Sequence, residues 1–148
     1  MTCPVTRKCW VVDQRFYCSA VTDAQEVRAD AAEVLRSAFA GDGAGVVGAF
    51  DALVDRGGVG AVYDVAWCLA ATMVGERLVT GPWRLEFPDI EDATYDTRWV
   101  ARFLSAYANA DQMTAEALFR VAQVDGKLEQ CLLTLAGSAV ATMRRRTA

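Results

Sequence analysis

The stretch VGAVYDVAWCLAATMVGERLV, residues 59–79, decides the fold. Val59, Val62, Tyr63, Val65, Ala66, Trp67, Leu69, Ala70, Met73 and Val74 leave almost no polar face. A helix apolar nearly all round is either the centre of a bundle or a membrane span. Asp64 interrupts the run, and the unbroken piece from Val65 to Val74 falls short of the roughly 20 apolar residues that spanning requires. The stretch is therefore read as the central helix of a soluble domain, stopped by Gly81-Pro82.

Working outward, apolar residues recur at helical spacing in every long segment. Upstream, Thr22 with Gln25 forms a capping-box pattern that opens a helix over about 23–40, with Val27, Ala31, Val34, Leu35, Ala38 and Phe39 on one face and Gly41 as terminator. A second helix over about 44–56 carries Val46, Val47, Phe50, Leu53 and Val54 and breaks at Gly57-Gly58. Downstream, a helix over about 93–108 carries Tyr95, Trp99, Val100, Phe103, Leu104 and Tyr107. Asp111 caps the next, over 112–124, whose stripe reads as Met113, Ala117, Leu118, Val121 and Ala122. The last, over about 128–145, carries Leu128, Cys131, Leu132, Leu135, Ala139, Val140 and Met143 and closes on Arg144-Arg145-Arg146.

The expected fold is all-α: a compact bundle of five to six helices around a central apolar helix at about 59–79. Two short stretches read as extended. Cys9 to Val12 and Phe16 to Cys18 flank a polar turn, and Trp83, Leu85 and Phe87 alternate with Arg84 and Glu86, so a minor hairpin or short strands are expected there. Residues 1–21 are read as an extension or small hairpin and 22–148 as one helical domain. If Val21 is encoded by GTG it could itself serve as a bacterial start, which the mass of the native N-terminus would test.

Composition narrows the chemistry. Hydrophobic residues make up 53% and charged residues 23% of 148, within the range of folded domains. The net charge of −4 repels duplexes and anionic bilayers on average, so neither nucleic acid nor membrane is an expected partner. There is no histidine, which removes the usual general base near neutral pH and the commonest metal ligand. Five cysteines form an odd set without CxxC spacing, and no signal-like apolar stretch opens the chain, so a reducing cytoplasmic setting is expected. Cys68 and Cys131 sit in apolar helical patterns and read as buried hydrophobes.

No motif rises to a catalytic or cofactor site. Cys3, Cys9 and Cys18 lack a fourth partner for zinc, and Asp89, Glu91, Asp92 and Asp96 fail the calcium-loop spacing and read as helix-start electrostatics. Gly41-Asp42-Gly43-Ala44-Gly45 precedes a helix but lacks the Lys-Ser/Thr of a phosphate loop. The helices around Asp125-Gly126 have a helix-turn-helix outline, yet Lys127, Glu129 and Gln130 are poor base readers. What remains is an aromatic and acidic segment, Trp83, Phe87, Asp89, Glu91, Asp92, Tyr95 and Trp99, of the type that anchors interfaces or plugs cores.

The expectation is a non-enzymatic protein–protein interaction or regulatory protein, self-association included, working through that segment or through the end of the last helix. The alternatives are a small enzyme or ligand-binding protein using carboxylates or a cysteine near the central helix, and a helix-turn-helix DNA-binding regulator. No cofactor and no metal are expected.

Overall fold

The computed structural model describes residues 20–75 and 90–147. These form five α-helices, α1 (Ala20–Phe39), α2 (Gly43–Val74), α3 (Tyr95–Ala108), α4 (Gln112–Val124) and α5 (Leu128–Thr147), with a 3-10 turn at Ile90–Asp92. Among the described residues there is no strand, and the all-α bundle read from the periodicities is the fold. The extended runs expected near Cys9 to Cys18 and at 83–87 lie outside the described residues.

Three of the links are built the same way. After α1, the Asp42 N–H bonds to Ser37 O and the Gly41 N–H to Ala38 O. After α3, the Asp111 N–H bonds to Ala106 O and the Ala110 N–H to Tyr107 O. After α4, the Lys127 N–H bonds to Ala122 O and the Gly126 N–H to Gln123 O. This double closure satisfies carbonyls that a helix end otherwise orphans, and it requires a left-handed residue at its centre. Gly41 (φ 71°) and Gly126 (φ 68°) adopt that conformation freely, whereas Ala110 (φ 55°) does so against its own Cβ. The residue that closes the turn then starts the next helix in two cases: Asp42 accepts from the Gly45 N–H at 2.9 Å and Asp111 from the Thr114 N–H at 3.1 Å.

The expected break at Gly57-Gly58 is present, but as a kink inside one continuous element. Gly58 (φ 72°, ψ −167°) leaves helical geometry while the arms on either side run on as α2. The expected end of the central helix is corrected: it stops at Val74, well before Gly81-Pro82. Gly75 (φ 102°, ψ 154°) cannot continue the coil, and its N–H closes on Ala71 O. The expected start at 93 shifts to Tyr95, because the 3-10 turn precedes it and Thr94 occupies the cap position in extended conformation.

The second arm of α2 is the centre of the core. Val62, Tyr63, Val65, Ala66, Leu69 and Ala70 are all at most 1% exposed, covered by α1, α3 and α5. By length and composition alone, α2 is the one described helix that could cross a bilayer, though here its second arm supplies the surface on which the other helices pack. Around it an aromatic cluster interlocks. Tyr63 meets Trp67, Phe103 and Phe119 at ring-centroid distances of 5.7, 6.2 and 5.3 Å, and Trp99 stacks on Phe103 at 5.0 Å. Such pairs add about 0.5–1.5 kcal/mol beyond the area they bury.

The arginines that close α5 have specific partners. The Arg146 guanidinium donates to Thr72 O at 2.6 Å and Met73 O at 2.5 Å, and Arg144 donates to Phe39 O at 2.9 Å while lying over the Phe39 ring. Arg146 and Arg144 thus supply cations and donors to the carbonyl ends of α2 and α1. These three bonds tie the end of α5 to the ends of α1 and α2.

Candidate groove between α3 and α4

Helix α4 sits at the edge of the bundle, packed on α3 and more lightly on α5. Its inner face is Ala115, Glu116, Phe119 and Ala122. The expected stripe of α4 divides: Ala122 is buried and Leu118 packs against the core, but Met113, Ala117 and Val121 are corrected to the outer face, Met113 being 82% and Val121 52% exposed, with Val124 at 86% beside them. The reason is size. Ala115 and Ala122 let α4 approach closely on the side where Phe119 inserts among Tyr63, Trp99 and Phe103, which turns the aliphatic stripe outward.

Helices α3 and α4 run antiparallel, bonded at the end where α3 starts and joined at the other by the Asn109 to Asp111 turn. Tyr95 OH donates to Asp125 Oδ2 at 2.7 Å, joining the start of α3 to the end of α4, and Trp99 Nε1 donates to Leu118 O at 2.9 Å. The Asp125 bond, then desolvation, pushes the Tyr95 hydroxyl up to about 12. At the turn, Asp111 accepts from both the N–H and the hydroxyl of Thr114, which holds its carboxyl below the usual range.

Beside the pair lie two recesses that share Arg98, Arg102 and Thr114 in their linings. One, of about 340 Å³, is lined by Tyr95, Arg98, Trp99, Arg102, Leu118 and Val121 among others. The other, of about 450 Å³, extends from the same arginines to Glu91, Ser105, Asn109, Asp111 and Thr114. Arg98 and Arg102, one helical turn apart and both exposed, border both recesses. No described carboxylate pairs with either, whereas Arg36, Arg56 and Arg120 pair with Glu33, Asp30 and Glu116. Glu116 is 6% exposed, and its Oε1 lies 3.6 Å from Arg120. Burial, and then the nearby Glu116 charge, holds the Tyr63 hydroxyl above the ordinary phenol range.

The residues expected to form an interface divide accordingly. Glu91, Tyr95 and Trp99 come together along this groove, and Asp92 is exposed on the 3-10 turn. Trp83, Phe87 and Asp89 lie outside the described residues. Trp99 is 3% exposed, so its ring serves the core and only forms the floor of the groove. Asp96 turns instead toward α5, where it accepts from Thr134 Oγ1 and from Gln130 Nε2, and the Thr134 bond lowers its pKa. Among the described residues no cluster of His, Cys, Asp and Glu has the makings of a metal site. Cys131 is buried and pushed up to about 12 by desolvation, which suits packing better than reactivity, while Cys68 is half-buried. The Gly41 to Gly45 turn is occupied by its own carboxylate: a Cβ on Gly45 would sit 2.4 Å from Asp42 Oδ2.

Sequence reasoning passed over Arg98 and Arg102. Their spacing of four on a helix, next to Tyr95 and Trp99 on the same wheel, was the available signal. No protein-family model, curated protein or solved structure matches the chain.

Proposed function

We propose that this chain is a non-enzymatic interaction protein, acting in the cytoplasm, that docks an acidic amphipathic helix of a partner protein along α3 and α4. The observation that carries this reading is the outward stripe Met113, Ala117, Val121 and Val124, at spacings of four, four and three on one helix, alongside two guanidiniums that no described carboxylate pairs. Burying an exposed Met or Val contributes about 1.5–3 kcal/mol each, so a stripe of this kind is a reservoir of binding energy when a partner covers it. The antiparallel pair offers the shape that recognises a helix by anchors at i, i+4 and i+7.

Charge selects the partner. Arg98 and Arg102 border the groove and Arg120 lies on the α4 ridge, all on a chain whose net charge is −4. Carboxylates flanking an apolar stripe complement this rim, and guanidinium pairs them with two parallel hydrogen bonds. A second copy fits less well, since twofold pairing of α4 against α4 sets the same arginines near one another.

Selection from a displayed library of helical peptides tests the reading. Acidic amphipathic sequences are expected to be enriched, with binding lost in Val124→Asp and weakened at least tenfold in Arg98→Glu/Arg102→Glu, while both variants keep the wild-type circular dichroism. Enrichment of basic or purely polar peptides overturns it. So does a dimer, measured by light scattering, that Val124→Asp dissociates.

A further inference from the structure

The larger recess has chemistry that a peptide stripe does not need. It is lined by Arg98 and Arg102 from α3, Ser105 and Asn109 one and two turns further on, Thr114 from α4, and Glu91 from the 3-10 turn. Its volume of about 450 Å³ falls within the range of small-molecule sites, which span about 300–1,000 Å³. The two lining carboxylates differ in availability. Asp111 already accepts from the Thr114 N–H and hydroxyl, so its oxygens are committed to starting α4. Glu91 is exposed, and no hydrogen bond or ion pair of the described structure engages it. Two available guanidiniums and one available carboxylate therefore line a single concavity.

We propose that this recess binds a small phosphate monoester bearing an amino or hydroxyl group, and that the ligand competes with the partner helix. Two guanidiniums one turn apart match a phosphate dianion in charge and in fork geometry, where a single carboxylate would use only one of them. Glu91 accepts from the ligand's ammonium or hydroxyl, and Ser105 and Thr114 offer hydroxyls to the remainder. Competition follows because the same two arginines rim the recess in which the helix is to dock; this clause alone rests on the docking reading.

The test is an amide and arginine side-chain NMR titration of the full chain with inorganic phosphate, phosphoethanolamine and glycerol 3-phosphate, at ionic strength held constant with sodium chloride. Saturable shifts centred on Arg98, Arg102, Ser105 and Thr114 are expected. Both esters should bind at least tenfold more tightly than inorganic phosphate. Arg98→Ala/Arg102→Ala should abolish binding of all three, and Glu91→Gln should erase only the advantage of the esters. Non-saturating shifts, shifts that persist in the double arginine variant, or equal affinity for phosphate and both esters overturn the proposal. Val124→Asp lies outside the recess and should bind the esters as wild type does. Saturable ester binding by a wild-type chain that selects no acidic helix sinks the docking reading alone, and acidic-helix selection without ester binding sinks this proposal alone.

Discussion

The second arm of α2 and the helix α4 are both rich in aliphatic residues, yet they spend them in opposite ways. In α2, Val62, Val65 and Leu69 are buried, with α1, α3 and α5 packed against that helix, whereas in α4 Met113, Val121 and Val124 face outward and the buried face is Ala115, Glu116, Phe119 and Ala122. The difference lies in position within the bundle. A central helix meets neighbours on more than one side, while an edge helix buries only the face that lets it come closest. Apolar content alone therefore reports burial in the first case and accessibility in the second.

The sharpest way to break this contrast is to remove the anchor of each helix. Phe119→Ala should cost about 3–5 kcal/mol and Leu69→Ala about 2–5 kcal/mol, read as shifts in urea midpoint at unchanged slope. If Phe119→Ala cost less than 1 kcal/mol, α4 would not be held by the contact assigned to it. On the outer face, Met113→Ser and Val124→Asp should each stay within about 0.5 kcal/mol of wild type, as exposed positions do. A large loss there would mean that the stripe is covered.

Smaller effects probe the ends of the helices. Arg146→Ala removes two bonds to the last carbonyls of α2, and because these are exposed the loss should be about 0.5–1.5 kcal/mol. Ala110→Gly has the opposite sign. Relief of the left-handed Cβ clash gains about 1–2 kcal/mol, and the added freedom of the unfolded chain returns roughly 0.4–1 kcal/mol. A net stabilisation of about 0.5 kcal/mol is expected, and a lower melting temperature would contradict the turn geometry.

The α3–α4 pin also makes a pH prediction. Tyr95 is raised from 10 to about 12 by its bond to Asp125, so the stability it contributes is present below pH 10 and lost as pH rises through about 12. Phenolate absorbance should show a titration near 12 that disappears in Tyr95→Phe; if Tyr95→Phe instead removed a titration near 10, the bond would be absent in solution. Asp96 behaves in the reverse sense. Its folded pKa is lowered, so its contribution is full above the ordinary aspartate range and lost as pH falls through the lowered value, and Thr134→Val should weaken that dependence.

Much of the architecture was legible in residue order because it depends on local chemistry. Helical spacing, the cap Asp111 and the terminator Gly41 act within one turn of chain, and the structure has them where they were read, whereas the cap at Asp42 was not read. The centrality of Tyr63 to Ala70 was legible as well, since a stretch without a polar face has only one place to go in water. The orientation of α4 was not. With Met113, Ala117 and Val121 on one side and Ala115, Phe119 and Ala122 on another, its wheel permits two phases, and only close packing against Tyr63, Trp99 and Phe103 chooses between them. The candidate groove inherits that choice, because Arg98 and Arg102 border a cleft only once α4 has been set beside them, and the bonds from Arg146 to Thr72 and Met73 likewise join residues more than seventy apart in the chain. Short-range preferences are written into neighbouring residues, whereas the face a helix shows to solvent is settled by the volumes of side chains that meet only after folding.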